Sequence, residues 1–449
     1  MHNSTFEREA MTDYLEDARQ ILAANDRGGY TVPTDRLYPF QWNWDSAFVA
    51  MGFATYDVPR AYRELERLIE GQWADGMIPH IVFHAPSDTY FPGPNVWRTR
   101  HAIATSGITQ PPVFGMALKK VHDAAKRQGR TGTGERSRFL YDAALRWHRW
   151  WYQARDPEST GLVALLHPWE SGSDNSPAWD TALARVPTTT KTEVIRKDTG
   201  HVDAAMRPHD EDYRRFIHLV DTYAACGWNP AEQWAAAPFK VAEIQTTAIL
   251  LASGEALLEL AREFGQEADA EELETVNARS RKALLAQWRP ELRRFVSRDL
   301  ISGTDIEAPT QACFCPLLAL DLEQTMLEAV IAEMNAWSDG LKVLFPSTQP
   351  SYSGFEAKRY WRGPVWAVIN WLLIDGLQRN GKDTMAEKLR LSTARAIEAN
   401  GFAEYFDPLT GEGCGGLGFS WTAAAYIELL RLEVDGLVRR ERPELTSPS

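Results

Sequence analysis

Hydrophobic residues recur every three to four positions over most of this chain. That spacing is typical of amphipathic α-helices. Between the helical stretches lie irregular segments rich in aromatic, proline and charged residues. Only residues 294–304 have a pattern that predicts two short strands. We find no strand–helix–strand alternation and no glycine pattern of a nucleotide-binding loop, so the chain is predicted to be all-α.

The predicted helices arrive in pairs, and long loops follow alternate helices. They cover residues 6–23, 45–53, 60–73, 111–126, 136–155, 211–225, 241–264, 267–288, 310–320, 322–337, 363–379, 382–400 and 419–437. Short loops between paired helices indicate antiparallel hairpins. Six hairpins closed in a ring form an (α/α)6 barrel, whose long loops meet at one end. An open helical solenoid is the alternative, but no fixed sequence repeat supports it. We therefore predict a single barrel domain over residues 1–449.

Two irregular segments are long enough to carry function. Residues 75–109 and 186–212 are predicted to form a cap over the barrel. Residues 206–215, which are polar and broken by proline, are predicted to be a mobile lid that closes over a substrate. The polar tail, residues 439–449, is predicted to fray.

The charge balance narrows the class of ligand. The 449 residues carry a net charge of −13 and show no basic stripe, which argues against nucleic acid and anionic membranes as partners. The 17 tryptophans are many for this length. Tryptophans line carbohydrate sites, but they also pack helical cores. A small-molecule ligand is therefore expected, and the exposed helices of such a barrel are compatible with a homo-oligomer.

Neither disulfides nor a metal centre is expected. The cysteines form no CxxC pair, and no histidine cluster has zinc spacing; they are Cys226, Cys313, Cys315 and Cys414. Buried thiols in a reducing compartment are the simpler interpretation. The first residues resemble no signal peptide, and no apolar run is expected to reach about 18 residues, so no transmembrane helix is predicted. The protein is predicted to be cytoplasmic and to need no cofactor or metal.

The segment WESGSDNSPAWD, residues 169–180, combines three carboxylates with two tryptophans. Its carboxylates are Glu170, Asp174 and Asp180. Aromatic faces cover the apolar faces of a sugar ring, and carboxylates bind hydroxyls or move protons. The segment therefore indicates a sugar pocket. The alternative is a capped turn in which the acids satisfy helix ends.

Two later segments carry further candidate chemistry. Residues 401–418 are crowded with glycines, which allow close approach of the backbone, around Glu404. A turn between two helices would explain the glycines but does not require Glu404. In YWRGPVW, residues 360–366, Pro364 suits the first turn of a helix. Arg362 is a candidate for binding a sugar hydroxyl or keeping a catalytic carboxylate ionised.

Together these motifs resemble a known enzyme family. The chain resembles the inverting (α/α)6 glycosidases of glycoside hydrolase family 63, and within them the bacterial mannosylglycerate and glucosylglycerate hydrolases. The resemblance covers nearly the whole chain and rests on motifs in matching order: FQWNWD (40–45), GMIPH (76–80), YFPGP (90–94), ESGSDNSP (170–177), YWRGPVW (360–366) and EYFDP (404–408).

The resemblance implies a mechanism with two carboxyl groups. Asp174 corresponds to the general acid and Glu404 to the general base that activates water. Inversion requires the two carboxyls to be ~6.5–9.5 Å apart, so that a water fits between them. Asp174 should be held protonated by burial and nearby acids. Glu170 and Asp180 are candidates for that neighbouring role, and structural hydrogen bonds are the alternative for both.

The resemblance also implies a set of substrate-binding residues. Those expected around the hexose are Gln41, Trp42, Asp45, Trp169, Arg362, Trp366 and Trp421. For each of these tryptophans the alternative is a place in the core. Glycerate is small and anionic, so its subsite needs a cation or several donors. The residues expected there are Tyr38, Tyr90, Gln110, Arg207, Tyr213, Tyr360 and Trp361. For Arg207 the alternative is a solvated loop charge.

The predicted function is inverting hydrolysis of glucosylglycerate, of mannosylglycerate, or of both, to the hexose and glycerate. The hexoses of the two substrates differ in the configuration at C2, and the motif spacing does not distinguish them. Glucosylglycerate is the favoured substrate. The main alternative is a related α-glucosidase acting on kojibiose, trehalose or an oligosaccharide. An inverting phosphorylase would have little use for Glu404. A sugar-binding protein without turnover would not need both carboxylate motifs.

Overall fold

A computed structural model describes residues 2–440, with side chains from residue 13 to residue 430. The helices are α1 (His2–Ala24), α2 (Asn43–Phe53), α3 (Val58–Ile69), α4 (Pro94–Trp97), α5 (Phe114–Arg127), α6 (Thr133–Arg155), α7 (Asp180–Leu183), α8 (Asp210–Ala225), α9 (Pro230–Ala236), α10 (Ile244–Glu263), α11 (Glu267–Leu285), α12 (Gln324–Ser338), α13 (Ala367–Arg379), α14 (Asp383–Asn400) and α15 (Ser420–Arg440). Most of the predicted tail, residues 441–449, lies outside the described residues, and residues 439 and 440 end α15.

Short strands and 3-10 helices punctuate the loops. The strands are β1 (Gln41–Trp42), β2 (Ile81–Val82), β3 (Ala164–Leu165), β4 (Val241–Ala242), β5 (Trp288–Arg289), β6 (Arg294–Phe295), β7 (Ser297–Asp299), β8 (Thr304–Ile306), β9 (Tyr405–Phe406) and β10 (Gly413–Cys414). The 3-10 helices are Pro168–Ser171, Pro177–Trp179, Asp198–Gly200, Ala204–Met206 and Gln311–Leu318. Strands β3, β4, β7 and β8 form one antiparallel sheet in that order.

Six inner helices close into a ring. Helix α2 packs against α5, α5 against α10, α10 against the 3-10 helix Gln311–Leu318, that helix against α13, α13 against α15, and α15 against α2. All residues of α2 are buried, because an inner helix is covered on every side and needs no polar face. The predicted all-α class is confirmed, and the ring is that of an (α/α)6 barrel.

An outer layer covers the ring. Helices α3, α6, α11, α14 and α1 pack on α2, α5, α10, α13 and α15 respectively. The 3-10 helix Gln311–Leu318 is covered by α12 through Trp337, whose ring meets Phe314 edge-on at 4.9 Å. Each inner helix thus has an amphipathic partner, as the paired pattern predicted.

Some predicted elements were wrong in detail. Residues 310–320 were predicted as an α-helix but contain a 3-10 helix with Pro316 inside it, because proline cannot donate an internal α-helical hydrogen bond. Helix α13 begins at Ala367 rather than near Pro364, because Val365 pairs with Phe406 instead. Residues from Asp210 onward, predicted as lid, form the first turns of α8. The short helix α9 was not predicted.

Helix α10 qualifies by length and mean hydropathy, 1.2, as a membrane-spanning segment, although no such run was recognised in the sequence. It is the one helix of residues 2–440 that does so, and 72% of its apolar window is buried within the protein. Its apolar surface is therefore used in packing the barrel. The four cysteines have free thiols, and three of them are buried.

Candidate active site

The main candidate cavity opens at the barrel end where α2 and α15 begin. It encloses about 680 Å³. The predicted residues that line it are Tyr38, Trp42, Asp45, Tyr90, Gln110, Trp169, Asp174, Arg207, Tyr213, Tyr360, Glu404 and Trp421. The other lining residues are Pro33, Trp44, His80, Gly172, Asp198, Pro208 and Phe419. Residues far apart in the chain, from both predicted cap segments, thus meet around one space.

Asp174 lies on a tight turn between the 3-10 helices Pro168–Ser171 and Pro177–Trp179. Gly172 makes the turn possible, with φ of +69° and a Cβ position that would lie 2.6 Å from the ring of Trp44. Only glycine satisfies both the left-handed backbone and this close approach. The turn therefore presents Asp174 to the cavity from a rigid frame.

Asp174 is suited to donate a proton. The pKa of its carboxyl is raised from 3.8 to about 8, mainly by burial and also by the charge of Glu404, while the charge of Arg207 opposes the rise. Desolvation disfavours the ionised form because a low-dielectric surrounding stabilises charge poorly. Asp174 is consequently protonated at neutral pH, which a general acid requires.

Glu404 lies directly before β9 and is fully buried. Its Oε1 accepts a hydrogen bond from the Tyr38 hydroxyl at 3.1 Å, and its Oε2 accepts one from the Gly416 backbone N–H at 2.9 Å. Gly415, with φ of +74°, leaves room for the carboxylate, since a Cβ there would collide with it. The glycines of this hairpin thus make space for Glu404 itself.

Burial raises the pKa of Glu404, whereas Arg207, the Gly416 N–H and the Tyr38 hydroxyl lower it. These donors stabilise the ionised carboxylate. Asp45, at the start of α2, has a pKa well above its usual range because of burial, with contributions from the charges of Glu404 and Asp174. Asp45, Asp174 and Glu404 are therefore three of the four carboxyl groups that line the cavity, and the fourth is Asp198.

Aromatic rings form the walls. Trp42 meets Tyr90 edge-on at 5.1 Å and Tyr38 edge-on at 5.3 Å. The His80 ring stacks on the Trp169 ring, with 6.0 Å between the ring centroids and 16° between the ring planes. Such rigid aromatic surfaces can cover the apolar faces of a sugar while the carboxyl groups bind its hydroxyls.

Arg207 crosses one side of the cavity. Its Nε donates to Asp198 Oδ2 at 3.0 Å, and its guanidinium stacks over the Tyr360 ring at 4.1 Å. Its Nη1 is 3.9 Å from Glu404 Oε1 and has no hydrogen-bond acceptor among the described residues. Arg207 is buried, so it is a cavity cation and not a solvated loop charge.

The segment before Arg207 is fastened across the cavity. The carbonyl of Met206 accepts hydrogen bonds from the Tyr360 N–H and the Tyr405 hydroxyl, each at 3.1 Å. The carbonyl of Arg207 accepts one from Arg359 at 2.7 Å. This part of the predicted lid therefore lies closed on the loop that carries Tyr360.

Gln41, Trp361 and Trp366 do not line the cavity. Gln41 points away because it neighbours Trp42 in β1, where successive side chains face opposite sides, and its amide donates to Ser46 at 3.0 Å. Trp361 and Trp366 are buried and stack on each other at 3.7 Å. They form a layer behind Tyr360, which meets Trp366 edge-on at 5.1 Å.

Arg362 is also outside the cavity. It forms a two-pronged ion pair with Asp180, both distances being 2.8 Å, and donates to the carbonyl of Asn175 at 3.4 Å. It therefore braces the turn that carries Asp174. Among the described contacts its side chain meets neither Asp174 nor Glu404, and sugar binding by Arg362 stays a prediction.

Glu170 and Asp180 do not raise the pKa of Asp174, contrary to the prediction. Glu170 is neutralised by Arg155 at 2.7 Å and accepts the Leu166 N–H at 2.8 Å. Asp180 is occupied by Arg362, and its side chain is 54% exposed. The pKa of Asp174 is raised by burial and by the charge of Glu404 and lowered by the charge of Arg207, so the structural alternative describes both Glu170 and Asp180.

Sequence reasoning missed several lining residues. His80 is the last residue of the GMIPH motif (76–80), and its place in that motif was the signal that could have identified it. Asp198 lies in a loop where charged residues are common, and its sequence context carried no sign of a role. Only its ion pairs with Arg196 and Arg207 distinguish it.

A helical barrel with a protonated carboxyl, an ionisable carboxylate and aromatic walls in one cavity defines a glycoside hydrolase. The family model described as "Mannosylglycerate hydrolase MGH1-like glycoside hydrolase domain" matches residues 38–422. The chain belongs to this family.

Individual relatives agree with this membership. The chain is 44% identical to mannosylglycerate hydrolase MGH1 of Selaginella moellendorffii, over 91% of this chain and 84% of the relative. It is 36% identical to the glucosylglycerate hydrolase of Mycolicibacterium hassiacum, over 93% and 98%. Its fold matches the solved GH63 mannosylglycerate hydrolase of Thermus thermophilus in complex with Tris and D-glycerate, with a TM-score of 0.89, 42% identity, and coverage of 92% and 99%.

Proposed function

We propose that this protein hydrolyses α-glycosides of glycerate, namely mannosylglycerate and glucosylglycerate, with inversion at the anomeric carbon. The observation that carries the proposal is the meeting of Asp174, Glu404 and Arg207 in one cavity. The carboxyls supply acid and base, and Arg207 supplies a cation for the anionic leaving group. The relatives named for these two activities support the choice of substrate.

In the proposed reaction, protonated Asp174 gives its proton to the glycosidic oxygen as the bond from C1 to that oxygen breaks. Glu404 takes a proton from a water whose oxygen attacks C1 from the opposite face. Glycerate leaves with the proton of Asp174, and the hexose leaves as the β-anomer. The two carboxyls then exchange protons with solvent, and Glu404 becomes a carboxylate again.

The leaving-group subsite is proposed around Arg207. A charge-assisted hydrogen bond to the glycerate carboxylate suits its Nη1. Gln110 accepts the Trp44 N–H at 3.3 Å through its Oε1, so its amide nitrogen is the end available to glycerate. Tyr90 and Tyr213 line the same side, although the Tyr213 hydroxyl donates to the Phe91 carbonyl at 2.8 Å.

The hexose subsite is proposed around Asp45 and Trp42, with Trp421 beneath them. Burial raises the pKa of Asp45, and a carboxyl group can accept hydrogen bonds from sugar hydroxyls and, when it is protonated, donate one. The relative at 44% identity is a mannosylglycerate hydrolase, and those at 36% include one named for each hexose. Both substrates therefore belong in the first assay.

The test compares purified protein on mannosylglycerate, glucosylglycerate, trehalose and kojibiose, with proton NMR to identify the first anomer released. We expect kcat/KM on a glycerate glycoside to exceed that on either disaccharide by about 100-fold or more. The first hexose signal should be the β-anomer. Comparable rates on trehalose, or release of the α-anomer, would contradict the proposal. Activity that needs added phosphate would indicate a phosphorylase.

A further inference from the structure

Asp198 is a cavity-lining acid that the proposed reaction does not use. Its Oδ2 accepts hydrogen bonds from Arg207 Nε at 3.0 Å and from Arg196 Nη2 at 2.6 Å, and its Oδ1 accepts one from Arg196 Nε at 3.0 Å. Although burial raises the pKa of Asp198, its bonds with these two arginines bring it below the ordinary value. Asp198 is therefore an anion on the side of the cavity proposed for an anionic leaving group.

Arg196 is held in place independently. Its Nη1 donates to the Pro208 carbonyl at 2.6 Å and to Asp210 Oδ1 at 3.0 Å, and its guanidinium stacks over the Tyr213 ring at 4.6 Å. Asp210 is 84% exposed, so solvent screens its charge. The buried partner of Arg196 is Asp198, and the two form a two-pronged pair.

Arg207 consequently has one edge occupied and one edge free. Asp198 binds the Nε edge, while Nη1 has no acceptor within the described part of the chain and lies 3.9 Å from Glu404 Oε1. A guanidinium held by its Nε edge in this way has its orientation fixed. The hydrogen bond from Nε to Asp198 thus fixes the direction in which Nη1 of Arg207 points.

The charges of this group balance before substrate enters. Arg196 and Arg207 are positive, Asp198 is negative, and Glu404 is negative in the ionised form that the proposed base requires. Without Arg196, Arg207 would face two carboxylates before a third arrived with glycerate. Like charges close together in a site that excludes water repel strongly. Arg196 contacts two lining residues, Pro208 and Tyr213, and its charge therefore bears on anion affinity from behind the lining.

We propose that Arg196 and Asp198 determine the charge selectivity of the leaving-group subsite. Asp198 is a positioning residue that holds the Nε edge of Arg207, and Arg196 cancels the charge of Asp198 so that a substrate carboxylate can bind. This inference rests on the proposed function. A purely structural brace made by the same residues would affect anionic and neutral substrates equally.

The experiment compares full-length wild type with R196Q, R196K, D198N and the double variant R196Q/D198N. Two substrates carry the same hexose, one linked to glycerate and one to glycerol, so that they differ in the charge of the leaving group. Thermal melting and circular dichroism establish that each variant is folded. The quantity compared is the ratio of kcat/KM for the glycerate glycoside to that for the glycerol glycoside.

R196Q should lower the ratio about tenfold, mainly through KM for the glycerate glycoside. R196K keeps the charge but loses the two-pronged geometry, so it should lower the ratio less than R196Q does. D198N should keep or raise the ratio. The double variant restores the charge balance and should recover most of the loss seen in R196Q. Added salt should reduce the difference between R196Q and wild type.

Two results would overturn the inference alone, provided that wild type prefers the glycerate glycoside. One is equal loss on both substrates in R196Q. The other is a double variant that is impaired as much as R196Q or more. If wild type shows no preference for the glycerate glycoside, the proposed function fails and this inference fails with it. If R196Q does not fold, the inhibition constants of D-glycerate are measured for wild type, R196K and D198N. A lower affinity for D-glycerate in D198N than in wild type would contradict the inference.

Discussion

The hydroxyl of Tyr38 donates to Glu404 Oε1 at 3.1 Å and lies 3.3 Å from the hydroxyl of Tyr360. A residue near the start of the chain thus controls the ionisation of a carboxylate near its end. The hydrogen bond from Tyr38 lowers the pKa of Glu404, in opposition to burial. The proposed base is therefore tuned by a contact that local sequence does not reveal.

Tyr38→Phe should move the acid limb of the pH profile upward. Loss of a donor to the carboxylate raises the pKa of Glu404, so the base becomes protonated at a higher pH. We expect the acid limb of kcat/KM to shift up by about one pH unit, with activity near the optimum partly retained. Tyr14→Phe is a matched control, because Tyr14 donates to the Glu398 carbonyl away from the cavity. An unshifted limb would remove this role from Tyr38.

Glu404→Gln should abolish most turnover while binding persists. Glutamine can still accept the Tyr38 hydrogen bond, but it cannot take a proton from water. We expect kcat to fall by about 10²- to 10⁴-fold, with substrate affinity measured by calorimetry within a few fold of wild type. Glu412→Gln, on the same hairpin but paired with Lys358 at the surface, should stay active. Full activity in Glu404→Gln would refute the base assignment.

Asp174 should set the alkaline limb of the pH profile. Its pKa is raised to about 8, so kcat/KM on the free enzyme should fall as pH rises through about 8 and the acid loses its proton. In Asp174→Asn that limb should disappear along with most turnover. A wild-type profile flat up to pH values well above 8 would contradict the assignment.

Asp174→Asn should also stabilise the fold at neutral pH. The pKa is 3.8 when unfolded and about 8 when folded, so folding takes up a proton between these values. The contribution of Asp174 to the free energy of unfolding is fully present below about pH 4 and is lost as the pH rises toward 8. Asparagine removes that decline. The variant's melting temperature should exceed that of wild type at pH 7 and match it near pH 4; a lower melting temperature at pH 7 would contradict this.

Arg207→Ala should chiefly raise KM for a glycerate glycoside. Removing the cation deletes a charge-assisted hydrogen bond to the leaving group, and we expect KM to rise about 10- to 100-fold. Because Asp198 then keeps Arg196 but loses one of its two arginine partners, thermal stability should be measured in parallel. Arg214→Ala, exposed on α8, is the control. An unchanged KM for the glycerate glycoside would contradict the proposed role of Arg207.

Arg362→Leu should loosen the turn that carries Asp174. The Arg362–Asp180 ion pair is two-pronged, with both distances 2.8 Å, but it is partly exposed, so its stabilisation is about 1 kcal/mol. We expect kcat to fall about three- to tenfold with KM little changed. If the brace acts as a pair, Asp180→Asn should add little in the Arg362→Leu background. Fully additive effects would show that the two residues act separately.

The sequence by itself determined the helical pairs and the motifs. Period and pairing predicted the barrel because amphipathic spacing records which face each helix buries. The segments around Asp174 and Glu404 were recognisable because glycines, aromatics and acids concentrate there. Membership of a glycoside hydrolase family followed from their order along the chain.

Only the tertiary structure decided which residues enter the cavity. Trp361 and Trp366 look as suitable for a sugar wall as Trp42, yet they stack on each other behind Tyr360. Arg362 looked like a site cation and proved to be a brace, whereas Asp198 appeared unremarkable and lies inside. The spacing of hydrophobic residues predicts which face of a single helix or strand is buried. Cavities form where loops from distant helices meet, and that packing is not encoded in local spacing.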